Sequence, residues 1–245
     1  DYGHNTHASV AHTYKIESKI KTPGIYMDIM GNKATAYGFI AAAEKAGLKL
    51  FLGSYPITPA TDVLHELSKH KSLGVITVQC EDEISGCATA IGASFAGALA
   101  VTTTSGPGVC LKSEAMNLAV ITELPLVVLN VQRGGPSTGL PTKSEQTDLL
   151  QALFGRNGES PMPVIAATSP TNCFDAAYAA CKMALEHMTP VVLLTDGFVA
   201  NGSGSWKLPN LDTYPEIKPQ YVTPEMKDNY TPYKRNPENQ VRYWA

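Results

Sequence analysis

Along residues 32–196 two textures alternate. Longer stretches with small and apolar residues at helical spacing, beginning with NKATAYGFIAAAEKAG, are separated by short runs that are apolar at almost every position, beginning with LKLFLGSY. The helical spacing predicts helices over 32–47, 58–71, 81–97, 109–123, 144–155 and 169–188, and the apolar runs predict strands over 48–55, 74–80, 98–105, 124–132, 162–168 and 190–196. Strands that face water on one side alternate apolar and polar residues. These do not, so both of their faces are buried, as in a parallel sheet covered by helices on both sides. Short connections and right-handed crossovers then give a doubly wound, mostly parallel α/β sheet. Local signals mark the ends: Asn32 as a helix cap, Gly47 as a left-handed stop, Thr58 as an N-cap with Pro59 at the first helical position, and Gly155 as a second stop.

The two ends lack this alternation. Residues 1–30 have no sustained period and read as a lead-in or linker; His4, His7 and His12 there faintly resemble metal ligands but fit a solvated segment better. Residues 201–245 are Gly/Ser-rich and then hold six prolines between Pro209 and Pro237, which reads as an extended tail or linker. Its Tyr and Trp residues predict that it docks on a surface. The domain expected between them is 31–200. A first residue other than Met and the missing closing element lead us to expect a piece of a longer polypeptide.

Composition narrows the function classes. A formal net charge of −3, with aromatic residues not interleaved among Lys and Arg, leaves no basic field for nucleic acid or an anionic membrane. The five cysteines form no CxxC pair; four of them sit in apolar or Ala-rich company and read as small hydrophobes, and the pattern suits a reducing compartment, here the cytoplasm. The uncharged stretch Ile84–Leu111 is long enough to span a membrane, but VTTTSGPG interrupts it, so it reads as a buried helix, a buried strand and a Gly-Pro-Gly exit turn.

In a doubly wound sheet, ligands bind outside the carboxyl ends of the strands. That directs attention to four loops: SYPITP (54–59), QCEDE (79–83), TSGPG (104–108) and QRGGPSTGLPT (132–142). The acids Glu81, Asp82 and Glu83 suit a helix N-terminus, and the small residues after them let that helix approach another backbone closely. An acid at such a mouth lies in a partly buried interface, where it can exchange a proton with a bound base. Gly106-Pro107-Gly108 is neither a GxGxxG fingerprint nor a P-loop. Arg133, at a strand exit before two glycines, fits a guanidinium fork for a carboxylate. His65, His70 and His187 fall in helices, and no Ser-His-Asp or Cys-His device is visible.

Taken together, YPITP, EDEISGCATAIGASFAGA, TTTSGPG with SEA, and VQRGGPSTGLPTKSEQTDL resemble the alpha subunit of 2-oxoacid:ferredoxin oxidoreductases, most of all its 2-oxoglutarate-specific members, over about residues 31–200. The resemblance implies the pyrimidine-binding domain of the thiamine diphosphate-binding fold. It also implies a beta subunit that carries the diphosphate-binding domain, with the active site between the two. Mg2+, the diphosphate and the iron–sulfur cluster would sit on that partner, and this chain would hold no metal ligand.

The implied catalytic residue is Glu83, chosen over Glu81 because it lies nine residues before Gly92. It would protonate the aminopyrimidine ring. Thr58 and Arg133 would bind the oxoacid, with Ser137 and Thr138 as further pocket residues, and Tyr55, Pro56, Ser105 and Gly106 would contact the cofactor. The implied reaction is oxidative decarboxylation of a 2-oxoacid to an acyl-coenzyme A, with electrons passing to ferredoxin, in a hetero-oligomer. Three alternatives stand beside it: the same chemistry on pyruvate or branched-chain 2-oxoacids, a non-catalytic assembly module, and a generic nucleotide-binding domain, which the missing glycine fingerprint disfavours.

Overall fold

The computed structural model describes residues 22–245; His4, His7 and His12 lie outside the described residues. The elements in chain order are β1 (Tyr26–Met30), α1 (Gly31–Ala46), β2 (Leu50–Ser54), α2 (Thr61–Leu67), β3 (Val75–Gln79), α3 (Glu83–Phe95), β4 (Leu99–Thr104), α4 (Gly106–Leu111), α5 (Ser113–Ile121), β5 (Leu126–Gln132), α6 (Leu149–Phe154), β6 (Val164–Ala166), α7 (Asn172–His187), β7 (Pro190–Asp196), α8 (Gly197–Asn201) and β8 (Ser203–Lys207). Six strands form one sheet in the order β3-β2-β4-β5-β7-β6, and every pairing in it is parallel.

Successive strand residues feed two separate cores, as the two-residue repeat of a strand requires. Leu99, Val101, Val127, Leu129, Val191 and Leu193 pack with α1, α2 and α7. Ala100, Leu126, Val128, Val192 and Leu194 pack with α3 and α5. All of β4, β5 and β7 is buried, which explains their unbroken apolar runs. Full burial of one large aliphatic side chain contributes about 1.5–3 kcal/mol.

Several boundaries differ from the sequence expectation, each for a tertiary reason. Helix α1 starts at Gly31, one residue before the expected cap, where it packs so closely on α8 that a Cβ would stand 2.1 Å from the Val199 carbonyl oxygen. Asn32 is therefore not a cap; it is buried and donates Nδ2 to the Pro59 carbonyl at 2.9 Å. Thr58 is not an N-cap and Pro59 is not the first helical residue. The Ile57 carbonyl takes the amides of Ala60 (2.8 Å) and Thr61 (3.1 Å), making a turn that delays α2 to Thr61.

The Gly-Pro-Gly segment is the first turn of α4 and not an exit turn, and the expected helix 109–123 is divided at Lys112. Helix α6 begins only at Leu149. Upstream of it, Glu145 accepts the Gly135 amide at 2.7 Å and the Asp148 amide donates to Gln132 Oε1 at 3.0 Å. Gly47 does end α1 in the left-handed conformation, at φ 66°.

The segments flanking the expected domain meet: β1 and β8 form an antiparallel pair from Tyr26↔Lys207 to Met30↔Ser203. Asp196 caps the short α8 by accepting the amides of Phe198 (2.8 Å) and Val199 (3.2 Å). Beyond β8 the chain is strapped across α7. The Lys182 ammonium donates to the Glu216 carbonyl at 2.8 Å, and Tyr178 donates to the Pro215 carbonyl. The strap ends with buried Trp244 stacked on Tyr221 and with Arg242 donating to the Thr122 carbonyl at 2.7 Å, at the end of α5. No helix among the described residues is long and apolar enough to cross a membrane.

Candidate active site

The residues singled out from the sequence gather at the carboxyl ends of β2, β3, β4 and β5. The three acids of QCEDE have three different placements. Glu81 is exposed. Asp82 is the N-cap of α3: its carboxylate accepts the Ser85 amide at 2.7 Å, and Ser85 Oγ accepts the Asp82 amide at 3.3 Å, a capping box. Hydrogen bonding to Ser85 holds the Asp82 carboxyl below its usual range. Glu83, first residue of α3, is buried with 8% of its surface exposed.

Small residues make that burial possible. A Cβ on Gly53 of β2 would lie 2.4 Å from the Gly86 carbonyl oxygen, so α3 rests directly on β2. A Cβ on Gly108 of α4 would lie 2.9 Å from Glu83 Cγ and 1.9 Å from Thr104 Oγ1. Glu83 is thus held between the mouth of α3 and the first turn of α4.

Arg133 leaves the end of β5 with 7% exposure. Its Nη1 donates to the Thr58 carbonyl and its Nη2 to the Thr138 carbonyl, both at 2.8 Å, while Nε is buried with no hydrogen-bond partner. Burial lowers its pKa, and the Glu83 charge acts in the opposite direction. The guanidinium joins the YPITP and GGPSTG loops and retains unused N–H donors.

A cleft of about 490 Å3 opens beside it, lined by Gly106, Arg133, Ser137, Thr138 and Asp148 among others. Ser137 holds a left-handed backbone at φ 58°, and its side chain and that of Thr138 are exposed. Tyr55, Pro56, Thr58 and Glu83 are not in the cleft lining. Thr58 is tied in through its carbonyl and its side chain is exposed; Tyr55 is exposed and Pro56 half-buried. Ser105 Oγ is buried without a partner, and Gly106 faces Asp148, whose Oδ2 would be 3.0 Å from a Cβ there.

Sequence reasoning did not identify Lys112, Asn130 and Asp148. Lys112 is fully buried and donates Nζ to Thr102 Oγ1 at 2.6 Å. Burial lowers its pKa, opposed by Cys87, Glu83, Cys80 and Asp82. Asn130 donates Nδ2 to Asp148 Oδ2 at 2.9 Å and leaves Oδ1 buried and unpaired. The signals were present: one lysine closing a long uncharged stretch, and one asparagine inside an apolar strand.

Residues 41–243 match the family described as pyruvate flavodoxin/ferredoxin oxidoreductase, thiamine diphosphate-binding. The chain belongs to that family. It is 54% identical over all of its 245 residues to the 2-oxoglutarate oxidoreductase subunit KorA of Mycobacterium tuberculosis, covering 37% of that protein. It is 42% identical over 184 residues, 75% of its own length and 52% of the relative's, to the 2-oxoglutarate synthase subunit KorA of Archaeoglobus fulgidus. Among solved structures, a 2-oxoglutarate:ferredoxin oxidoreductase from Magnetococcus marinus, with 2-oxoglutarate, coenzyme A and succinyl-CoA bound, superposes with a TM-score of 0.83. It is 36% identical, over 90% of this chain and 37% of that one. The parallel sheet with helices on both faces is therefore the thiamine diphosphate-binding fold expected from the sequence. The chain spans about a third to a half of the length of the relatives it matches.

Proposed function

We propose that this chain is the alpha-subunit part of a 2-oxoglutarate:ferredoxin oxidoreductase and contributes the pyrimidine side of a thiamine diphosphate site completed by a partner subunit. The observation that carries this reading is Glu83, buried at the mouth of α3 and packed against Gly108 of α4. The residues fit the cofactor. A carboxyl stands where a ring nitrogen can meet it, and the unpaired Ser105 Oγ and Asn130 Oδ1 offer polar contacts at neighbouring strand ends.

Thiamine diphosphate, when bound, supplies the electron sink for decarboxylation. Glu83 holds and moves a proton at its carboxyl group, a task suited to a desolvated acid. Arg133 offers its remaining N–H donors to a substrate carboxylate. Thr58, Ser137 and Thr138 line the approach of the oxoacid, and Tyr55, Pro56, Ser105 and Gly106 face the cofactor.

The unit that carries this work is 31–200, with the segments before and after it forming the β1–β8 pair and the strap. The beta-type partner holds the diphosphate, Mg2+ and iron–sulfur cluster; coenzyme A accepts the acyl group and ferredoxin the electrons, in a cytoplasmic hetero-oligomer. All five cysteines are free, in keeping with a reducing compartment. The family description names pyruvate, so the second reading is the same chemistry on pyruvate or a branched-chain 2-oxoacid.

The test is turnover of the complex reconstituted with the partner, assayed on 2-oxoglutarate, pyruvate and branched-chain oxoacids. Glu83→Gln is expected to lower turnover about 10²–10⁴-fold, as loss of a general acid–base group does. Unchanged turnover would make the chain an assembly module, and preference for another oxoacid would favour the second reading.

A further inference from the structure

Residues 134–140 form a largely exposed loop on one wall of the cleft. Its base is closed by backbone bonds: the Gly134 amide donates to the Lys143 carbonyl and the Leu140 amide to the Gly134 carbonyl, both at 2.8 Å. A Cβ on Gly139 would stand 1.9 Å from the Gly134 carbonyl oxygen, so the two arms of the loop touch there. Beyond the base, Ser137 holds a left-handed backbone at φ 58°. A serine keeps that conformation only where its surroundings hold it there.

Among the described residues, two charged side chains hydrogen-bond to the backbone of this loop. Arg133 Nη2 donates to the Thr138 carbonyl at 2.8 Å, and Glu145 Oε2 accepts the Gly135 amide at 2.7 Å, a charge-assisted bond. Pro136 and Ser137 lie between the two anchored residues. Glu145 itself stands on a fixed base. Beside it, Gln146 donates Nε2 to Asp196 Oδ2 at 2.8 Å, the Asp148 amide donates to Gln132 Oε1 at 3.0 Å, and Asn130 donates Nδ2 to Asp148 Oδ2 at 2.9 Å. Asn130, Gln132 and Asp196 are buried at the ends of β5 and β7, so the segment 145–148 is clipped to the sheet. A free carboxylate close to a site for an anion would repel it. This one stays out of the cleft lining and commits an oxygen to a backbone amide that belongs to the lining.

We propose that Glu145 is a positioning residue that holds the 134–140 loop, through the Gly135 amide, in the form in which Ser137 and Thr138 meet the oxoacid. It acts through the loop and not on the substrate, so the inference rests on the substrate-binding role proposed above for Ser137, Thr138 and Arg133.

The experiment compares Glu145→Ala with Glu145→Gln, whose amide oxygen can still accept the Gly135 N–H. Amide hydrogen exchange over residues 133–140 and the thermal midpoint are measured in the full-length subunit, and kcat and KM for 2-oxoglutarate in the complex reconstituted with the partner. Glu145→Ala is expected to speed exchange at the Gly135 amide at least about 10-fold and to move the midpoint by less than about 2 °C. In the complex it is expected to raise KM at least about five-fold with kcat within about two-fold, the mark of lost uniform binding. Glu145→Gln is expected to stay within about three-fold of the native protein in both exchange and KM. A purely structural duty would instead lower the midpoint and leave KM unchanged. Native exchange or native KM in Glu145→Ala, or Glu145→Gln as impaired as Glu145→Ala, would overturn the inference. The exchange measurement needs no turnover, so it decides whether Glu145 holds the loop even if the native complex turned over no oxoacid, the result that would overturn the proposed activity.

Discussion

The two helical layers of the sheet differ in what they bury and in what they leave open. The layer of α1, α2 and α7 is closed: Phe39, Phe174 and Leu185 are buried, Trp206 packs on Phe174 at 5.2 Å between ring centres, and Tyr214 of the strap packs on Tyr178 at 5.0 Å. The layer of α3 to α6 holds the buried charges Glu83 and Lys112, yet leaves Phe95, Ile121 and Phe154 exposed at 72%, 76% and 77%. One layer stabilises the sheet. The other buries ionisable groups near the site and keeps apolar surface uncovered at the far ends of its helices.

Substitutions can break that contrast. Outside the reacting groups the largest effect on activity is expected at Gly108: in Gly108→Ala the new methyl collides with Thr104 Oγ1 and Glu83, and turnover of the reconstituted complex should fall at least about 100-fold from misplaced chemistry. On the closed layer, Leu185→Ala should cost about 2–5 kcal/mol in denaturant unfolding and leave kcat per folded molecule within about two-fold. If the Leu185 variant lost activity in step with the Gly108 variant, the division between the layers would be wrong.

Thr58 gives a finer test. Because its side chain is exposed and caps nothing, Thr58→Val should change stability by less than about 0.5 kcal/mol. Thr58→Ser should keep turnover where Thr58→Val loses it, if the hydroxyl meets the oxoacid.

A pH dependence separate from the site concerns the buried thiols. Burial raises Cys87 and Cys173 from 9.0 to about 11, so between those values the unfolded chain loses protons that the native chain keeps. Stability contributed by these thiols is complete below pH 9 and declines toward pH 11, which unfolding midpoints measured across that interval would register. At pH 8 a thiol reagent should modify exposed Cys110 ahead of Cys87, Cys173 and Cys181.

The parallel sheet was readable because β4, β5 and β7 are buried on both faces and therefore apolar at nearly every position. Strands β1 and β8 were not, since each is short and its partner lies at the other end of the chain; nothing local announces Met27↔Trp206. Cap signals misled at Asn32 and Thr58, because tertiary contacts had other uses for those residues: a bond to the Pro59 carbonyl and a turn closed on Ile57. In the site, the loops, Arg133 and the choice of Glu83 followed from position and resemblance. Lys112 did not, because a single lysine at a helix junction looks like a surface residue until its side chain is seen to turn inward.

The central claim is that this chain supplies half of a divided thiamine diphosphate site. Calorimetric titration of thiamine diphosphate with Mg2+ into the chain alone, and into the chain mixed with the diphosphate-binding partner, tests it directly. Saturable binding with the partner and none without it is the predicted result; tight stoichiometric binding by the chain alone would contradict the account.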